Sequence, residues 1–206
     1  MEIDFWFDFS SPYCYPVAMT IEEAARDKDL QVNWHGFMLG TILKSQGSDT
    51  LHDEQNRARL AYTWLDMKRV CEQYNLAFVR PCRFPSVSRL ATRILCWYQH
   101  QDWIPAFVRA VFHAAYAQDK NIADEKVIAD CIALAGQDPL TVIEQANSME
   151  AKARLHLQNQ QAIRTGVFDA PFFQVQQEPF CGLDRMPMAL DWHRYQSDVF
   201  RQTGTA

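Results

Sequence analysis

The segment Phe5-Trp-Phe-Asp-Phe-Ser-Ser-Pro-Tyr-Cys-Tyr15 sets a hydroxyl at Ser11 and a thiol at Cys14, where a strand-like pattern gives way to a helix-like one. Unpaired N–H groups and the peptide dipoles at a helix start stabilise an anion, so a side chain seated there works beside developing negative charge. A serine in that seat cannot close a disulfide with Cys14. Its hydroxyl can instead donate a hydrogen bond to a thiolate that a ligand brings. The plainer role for Ser11 is to cap the helix, as serine commonly does. A redox role for Cys14 as a lone thiol is a further alternative, disfavoured because residue 11 holds the exposed, anion-stabilising seat and the second thiol of such a pair is usually more buried. Serine hydrolysis finds no support: no G-x-S-x-G elbow surrounds Ser11, and no His–Asp pair is identifiable.

The elements that would position this turn follow from hydrophobic periodicity. Glu2 to Phe9 alternates, with Ile3, Phe5, Phe7 and Phe9 on one side and Asp4 and Asp8 on the other, which predicts a strand. Ser10-Ser11-Pro12 reads as an N-cap followed by proline at the first helical position, with Val17, Ile21, Ala24 and Ala25 continuing at helical spacing and Pro16 kinking the helix early. Leu30 to His35 alternates again. From about Thr50 to Gly166 the pattern is helical: His52 to Tyr74, Ser88 to His100, Trp103 to Gln118, Asp124 to Leu134, Pro139 to Ala146, and Met149 to Arg164 ending at Gly166. Phe172 to Val175 and Glu178 to Cys181, joined at Gln176-Gln177, predict a hairpin, and Asp184 to Phe200 predicts a closing helix. The order is βαβ, a helical block, then αββα. Residues 1–48 and 149–206 are expected to form one discontinuous α/β domain, with 49–148 as a helical insertion packed on it.

At 206 residues the chain has the length of one compact unit. Its net charge of −5 is mild and its Lys and Arg are scattered, which argues against nucleic acid as a partner. No apolar run approaches the roughly 20 residues that cross a bilayer, and Met-Glu-Ile-Asp does not resemble a signal peptide, so no membrane and a cytoplasmic location are expected. The six cysteines form no C-x-x-C pair and no zinc-like array with the histidines. No metal is expected, and reduced core thiols are expected for all but Cys14.

The order of elements resembles the thioredoxin-like fold with a helical insertion of bacterial periplasmic disulfide oxidases. Phe7-Asp-Phe-Ser-Ser-Pro-Tyr13, Gly166-Val-Phe-Asp-Ala-Pro-Phe-Phe173 and Pro179-Phe-Cys-Gly-Leu-Asp-Arg185 are similar to the 2-hydroxychromene-2-carboxylate isomerase family, related to the kappa-class glutathione transferases. The similarity spans essentially the whole chain and implies glutathione as cofactor. Ser11 matches the serine that hydrogen-bonds the glutathione sulfur. Ala170-Pro171 matches the cis-proline turn, where the main chain of residue 170 pairs with the cysteinyl main chain of glutathione. Gly182, Leu183 and Asp184 match the segment holding the γ-glutamyl end, with Asp184 against its ammonium. Leu183 departs from the pattern, since relatives carry a polar residue there.

For the acceptor, the resemblance implies contacts from Lys44, in the loop after the second strand, and from Arg59, in an Arg59-x-x-Tyr62 echo of the family's Lys-x-x-Tyr. Phe84, in Arg83-Phe-Pro-Ser-Val-Ser88, is the third, although Val87 stands where the family carries asparagine. The implied activity is a glutathione-dependent isomerisation of an aromatic-derived carboxylate, a small-molecule substrate. A kappa-like transferase conjugating electrophiles uses the same Ser11 site and remains an alternative, as does a glutathione- or partner-binding module without turnover. A homodimer is left open by the resemblance.

Overall fold

A computed structural model describes the chain over residues 1–45 and 56–192. Strand β1 (Glu2–Phe7) lies between β2 (Gln31–Gly36), which pairs with it in parallel, and β3 (Phe172–Val175), which pairs antiparallel; β4 (Glu178–Cys181) completes the order β2-β1-β3-β4. An inner strand covered on both faces should be apolar on both. Accordingly Ile3, Phe5 and Phe7 are buried on one face and Trp6 on the other. Phe5 stacks on Phe173 across the sheet at 5.6 Å. The strand stops at Phe7 rather than Phe9 because Asp8 turns the chain: its carboxylate accepts from the Ser10 N–H at 2.8 Å and its carbonyl from the Ser11 N–H at 3.0 Å.

Helix α1 (Cys14–Arg26) begins later than the sequence predicts. Tyr13 holds the N-cap with no side-chain cap, so Ser10 and Ser11 are not caps and Pro12 lies before the helix. Pro16 falls in the first turn, where a missing N–H removes no helical hydrogen bond. Helix α2 (Leu39–Ser45) is not predicted by local sequence. The N–H groups of Met38 and Leu39 at its start are bonded by Asn159 Oδ1 at 2.9 Å and Asp8 Oδ2 at 2.7 Å, partners distant in the chain.

The remaining helices are α3 (Asn56–Gln73), α4 (Arg89–Tyr98), α5 (Ile104–Tyr116), α6 (Glu125–Leu134), α7 (Pro139–Ala146) and α8 (Met149–Thr165). The predicted start of the first of these, at His52, lies outside the described residues. Ile104, Phe107, Val108, Val111 and Phe112 of α5 are all fully buried, as their stripe predicts, and α5 packs on α1 while α4 packs on α8. Gly166 ends α8 in the left-handed region at φ 82°. Gln176 and Gln177 both take positive φ, 50° and 72°, which makes the tight turn of the hairpin. After β4 a 3₁₀ turn, Leu183–Arg185, leads into helical residues 186–192, so Asp184 precedes the α-helical part, and the predicted end at Phe200 lies outside the described residues.

Cys71, Cys96 and Cys131 are buried free thiols, as expected; Cys14 is buried with them, whereas Cys82 is exposed and Cys181 half-buried, against expectation. Cys82 falls in an extended loop rather than on an apolar helix face, which is why it escapes the core. Among the described residues no helix is long and apolar enough to cross a membrane.

Candidate functional site

The turn between β1 and α1 is fixed by its own backbone, with the Cys14 N–H donating to the Ser11 carbonyl at 3.1 Å. From that turn the Ser11 hydroxyl donates to the carbonyl of Ala170 at 2.7 Å, joining segments 159 residues apart. Ser11 is only 8% exposed, which corrects the expectation of an exposed seat. Its side chain is also a hydrogen-bond partner of the Cys14 thiol. Burial pushes the ionisation of Cys14 far up despite that bond, so this thiol stays protonated near neutrality. Such a group is a poor nucleophile, which weakens the redox alternative.

Behind Ser11, Asp8 is almost completely buried and ties three segments together. Its carboxylate accepts from Ser10 N–H, from Leu39 N–H at the head of α2, and from the Ser88 hydroxyl before α4 at 3.3 Å. Burial raises its pKa above the ordinary carboxylate value, with the hydrogen bonds pulling the other way. The alternation in the strand grouped Asp8 with Asp4 on the outer side. Its burial was legible only through partners from α2 and α4.

A groove of about 310 Å³ opens beside this turn. Ala170, Pro171, Gly182, Leu183 and Asp184 line it together, so five of the predicted residues converge, with Tyr13, Asp66 and Asp169 among the others; Ser11 is not itself in the lining and meets it through Ala170. The Ala170–Pro171 peptide is cis, and the Gly182 N–H donates to the Pro171 carbonyl at 2.9 Å. Gly182 adopts φ 102°, and a Cβ there would meet Asp184 Oδ1 at 2.9 Å. The exposed Asp184 carboxylate could swing clear of a Cβ, so it is the positive φ that favours glycine here. Asp184 is exposed and 3.4 Å from the Arg185 guanidinium. The Tyr13 hydroxyl donates to Asp66 Oδ2 at 2.9 Å, and burial, with the Asp66 charge, holds that phenol well above its usual range.

The acceptor-side candidates do not enter this groove. Lys44 lies on α2 rather than in a loop and is exposed, and Arg59 is exposed on α3. Phe84 packs edge-on against Trp64 at 4.8 Å. Arg59 and Asp66 are two helical turns apart on α3, so Arg59 shares the groove-facing side without lining the groove. A larger polar hollow of about 850 Å³ runs along β2, lined by Arg26, Asn33 and Gln99 among others, and holds none of the predicted residues. Tyr13, Asp8 and Asp169 are the site-proximal residues that sequence reasoning passed over. All three lie inside the matched motifs, Tyr13 and Asp8 in Phe7–Tyr13 and Asp169 in Gly166–Phe173, but none was assigned a role there.

A family model of the DSBA-like thioredoxin domain matches residues 2–192. The chain belongs to that family. Within the DSBA-like family, it is 23% identical over 184 residues to a 2-hydroxychromene-2-carboxylate isomerase of Sphingobium xenophagum, covering 89% of this chain and 93% of that protein. A solved 2-hydroxychromene-2-carboxylate isomerase shares its fold with a TM-score of 0.84 at 24% identity, over 99% of this chain and 98% of the other. The cytosolic disulfide reductase DsbM from Pseudomonas aeruginosa, solved with GSH, superposes with a TM-score of 0.65 at 13% identity, over 98% and 100% of the two chains. The DSBA-like topology explains why Ser11 and Ala170 meet: β3 is paired directly to β1, so the turns at adjoining ends of the two strands face each other.

Proposed function

We propose that this protein is a glutathione-dependent isomerase of an aromatic-derived carboxylate, of the 2-hydroxychromene-2-carboxylate type. The observation that carries the reading is the bond of the Ser11 hydroxyl to Ala170, a residue that lines one groove with Pro171, Gly182 and Asp184. The donor set suits a γ-glutamyl-cysteinyl peptide. Asp184 takes the ammonium, the main chain at residue 170 pairs with the cysteinyl unit, and Ser11 donates to the sulfur. The similarity to named isomerases along nearly the whole chain supports the reaction class, and the fold shared with a GSH-bearing neighbour agrees with a groove of this kind.

Glutathione held by Ser11, Ala170 and Asp184 would supply a thiolate nucleophile that is regenerated in each turnover, so the net reaction would be isomerisation without redox change. The protein's share is to favour that thiolate and to orient the acceptor against it. Free thiols ionise near pKa 8.5, and each unit of lowering corresponds to about 1.4 kcal/mol of preferential thiolate stabilisation. The thiol pKa of bound glutathione is therefore expected to fall below its solution value, followed by thiolate absorbance across a pH titration. An unshifted titration, or no calorimetric binding at millimolar glutathione, removes Ser11 from this role.

Asp184→Asn separates binding from chemistry. The γ-glutamyl ammonium is remote from the reacting sulfur, so losing its partner removes mostly uniform binding energy. The KM for glutathione is expected to rise roughly two- to fivefold with kcat nearly unchanged, in line with up to about 1 kcal/mol for one charge contact at an exposed carboxylate. Steady-state kinetics with glutathione varied reads this directly, and an unchanged KM would mean the γ-glutamyl end lies elsewhere.

A further inference from the structure

Both main-chain groups of Ala170 are engaged within the protein. Its carbonyl accepts from Ser11, and its N–H donates to Asp169 Oδ1 at 2.8 Å. Ala170 lies just before β3, one residue ahead of Pro171, whose carbonyl is taken by the Gly182 N–H. At Ala170 the main chain has left the ladder, and Asp169 and Ala170 both line the groove. An extended ligand whose carbonyl paired with this N–H would have to replace the Asp169 carboxylate.

Resting on the glutathione reading above, we propose that Asp169 is a built-in competitor for the cofactor, capping the Ala170 N–H so that a cysteinyl peptide binds only by displacing it. Two further features agree. The Asp169 charge acts on both neighbouring thiols, Cys14 and Cys181, in the direction that disfavours a thiolate. A negative charge that opposes sulfur anions at these positions opposes one brought by a ligand as well. The groove also carries Asp66 and Asp184, so Asp169 adds a third carboxylate to a site meant for an anionic peptide. Displacing the side chain opens the N–H and moves its charge away from the thiolate seat in one motion. Asp169 therefore sets how tightly the cofactor is held and lets it leave after turnover.

Most substitutions in a binding groove weaken binding, whereas this arrangement demands the opposite. Calorimetry of reduced glutathione against the wild-type protein, Asp169→Ala and Asp169→Asn tests it, with thermal melts on all three. Asp169→Ala frees the N–H and removes the charge, and its affinity is expected to rise roughly three- to tenfold, as one recovered hydrogen bond implies. Asp169→Asn keeps an amide oxygen able to cap and loses only the charge, so its gain is smaller. Wild-type binding with equal or weaker binding by folded Asp169→Ala overturns the competitor and leaves the glutathione reading intact. Binding seen only in Asp169→Ala supports the competitor, and silence of all three proteins overturns both readings. Should Asp169→Ala melt early, the isosteric Asp169→Asn decides on the same criterion: a gain supports the competitor, and none overturns it.

Discussion

Ser11→Ala is expected to lower kcat by roughly 10- to 100-fold while moving the glutathione KM much less. The hydroxyl matters most when the sulfur is anionic, and a lost charge-assisted hydrogen bond costs about 1.5–3 kcal/mol. In the free protein that hydroxyl proton points at the Ala170 carbonyl, so it serves a thiolate only after turning away from a 2.7 Å partner. The variant consequently also leaves a buried carbonyl without its donor, and its melting temperature should fall by a few degrees, as a loss of about 1 kcal/mol implies. Turnover measured beside melts separates the two effects. A folded Ser11→Ala protein with unchanged kcat would assign the thiolate to another group.

The second large effect belongs to Asp8. Truncating it to alanine strips acceptors from the Ser10 and Leu39 N–H groups and from the Ser88 hydroxyl in one change. Orphaning buried donors costs about 1–3 kcal/mol each, and partial rehydration brings the expected loss to about 3–5 kcal/mol, readable in denaturant unfolding. Asp8→Asn keeps the size and supplies a pH signature. Because burial raises the native pKa of Asp8, the group contributes nothing below the ordinary carboxylate range near pH 4, where folded and unfolded chains both hold the proton. Between that range and the raised native value the native state holds the proton more tightly, so wild-type stability falls as pH rises, and above it the penalty is constant. Asparagine lacks this term, so the stability gap between wild type and Asp8→Asn should narrow from acid to neutral pH. A gap that widens would mean that the hydrogen bonds outweigh burial and depress the Asp8 pKa.

Much of the fold was legible because its signals are local. The hairpin Phe172 to Cys181 and the stripe of α5 appear as predicted, since alternation and 3.6-residue spacing report burial wherever one face meets the core. The misplaced boundaries share another cause. Helix α1 starts at Cys14 because the backbone bonds of Asp8 and Ser11 hold the turn, which a Ser-Ser-Pro cap pattern does not reveal. Helix α2 stands on Asn159 and Asp8, partners far away in the chain. In the groove, motif words located Ala170, Pro171 and Gly182 to Asp184, because those positions impose backbone geometry. Asp8 and Asp169 fall inside motif words as well, but the bonds their carboxylates make are not encoded by spacing.

The place of β1 between β2 and β3 bears on how the chain comes off the ribosome. Its parallel partner is synthesised within the first 36 residues, but the antiparallel one begins only at Phe172. Until then one long edge of an aromatic strand stays unpaired, and Ser11 faces no Ala170. Pairing across so much sequence is slow, and an open apolar edge invites association with other chains. The turn at Ser11 is therefore made well before the groove exists, and the open edge of β1 closes in the same step that brings Ala170 to Ser11.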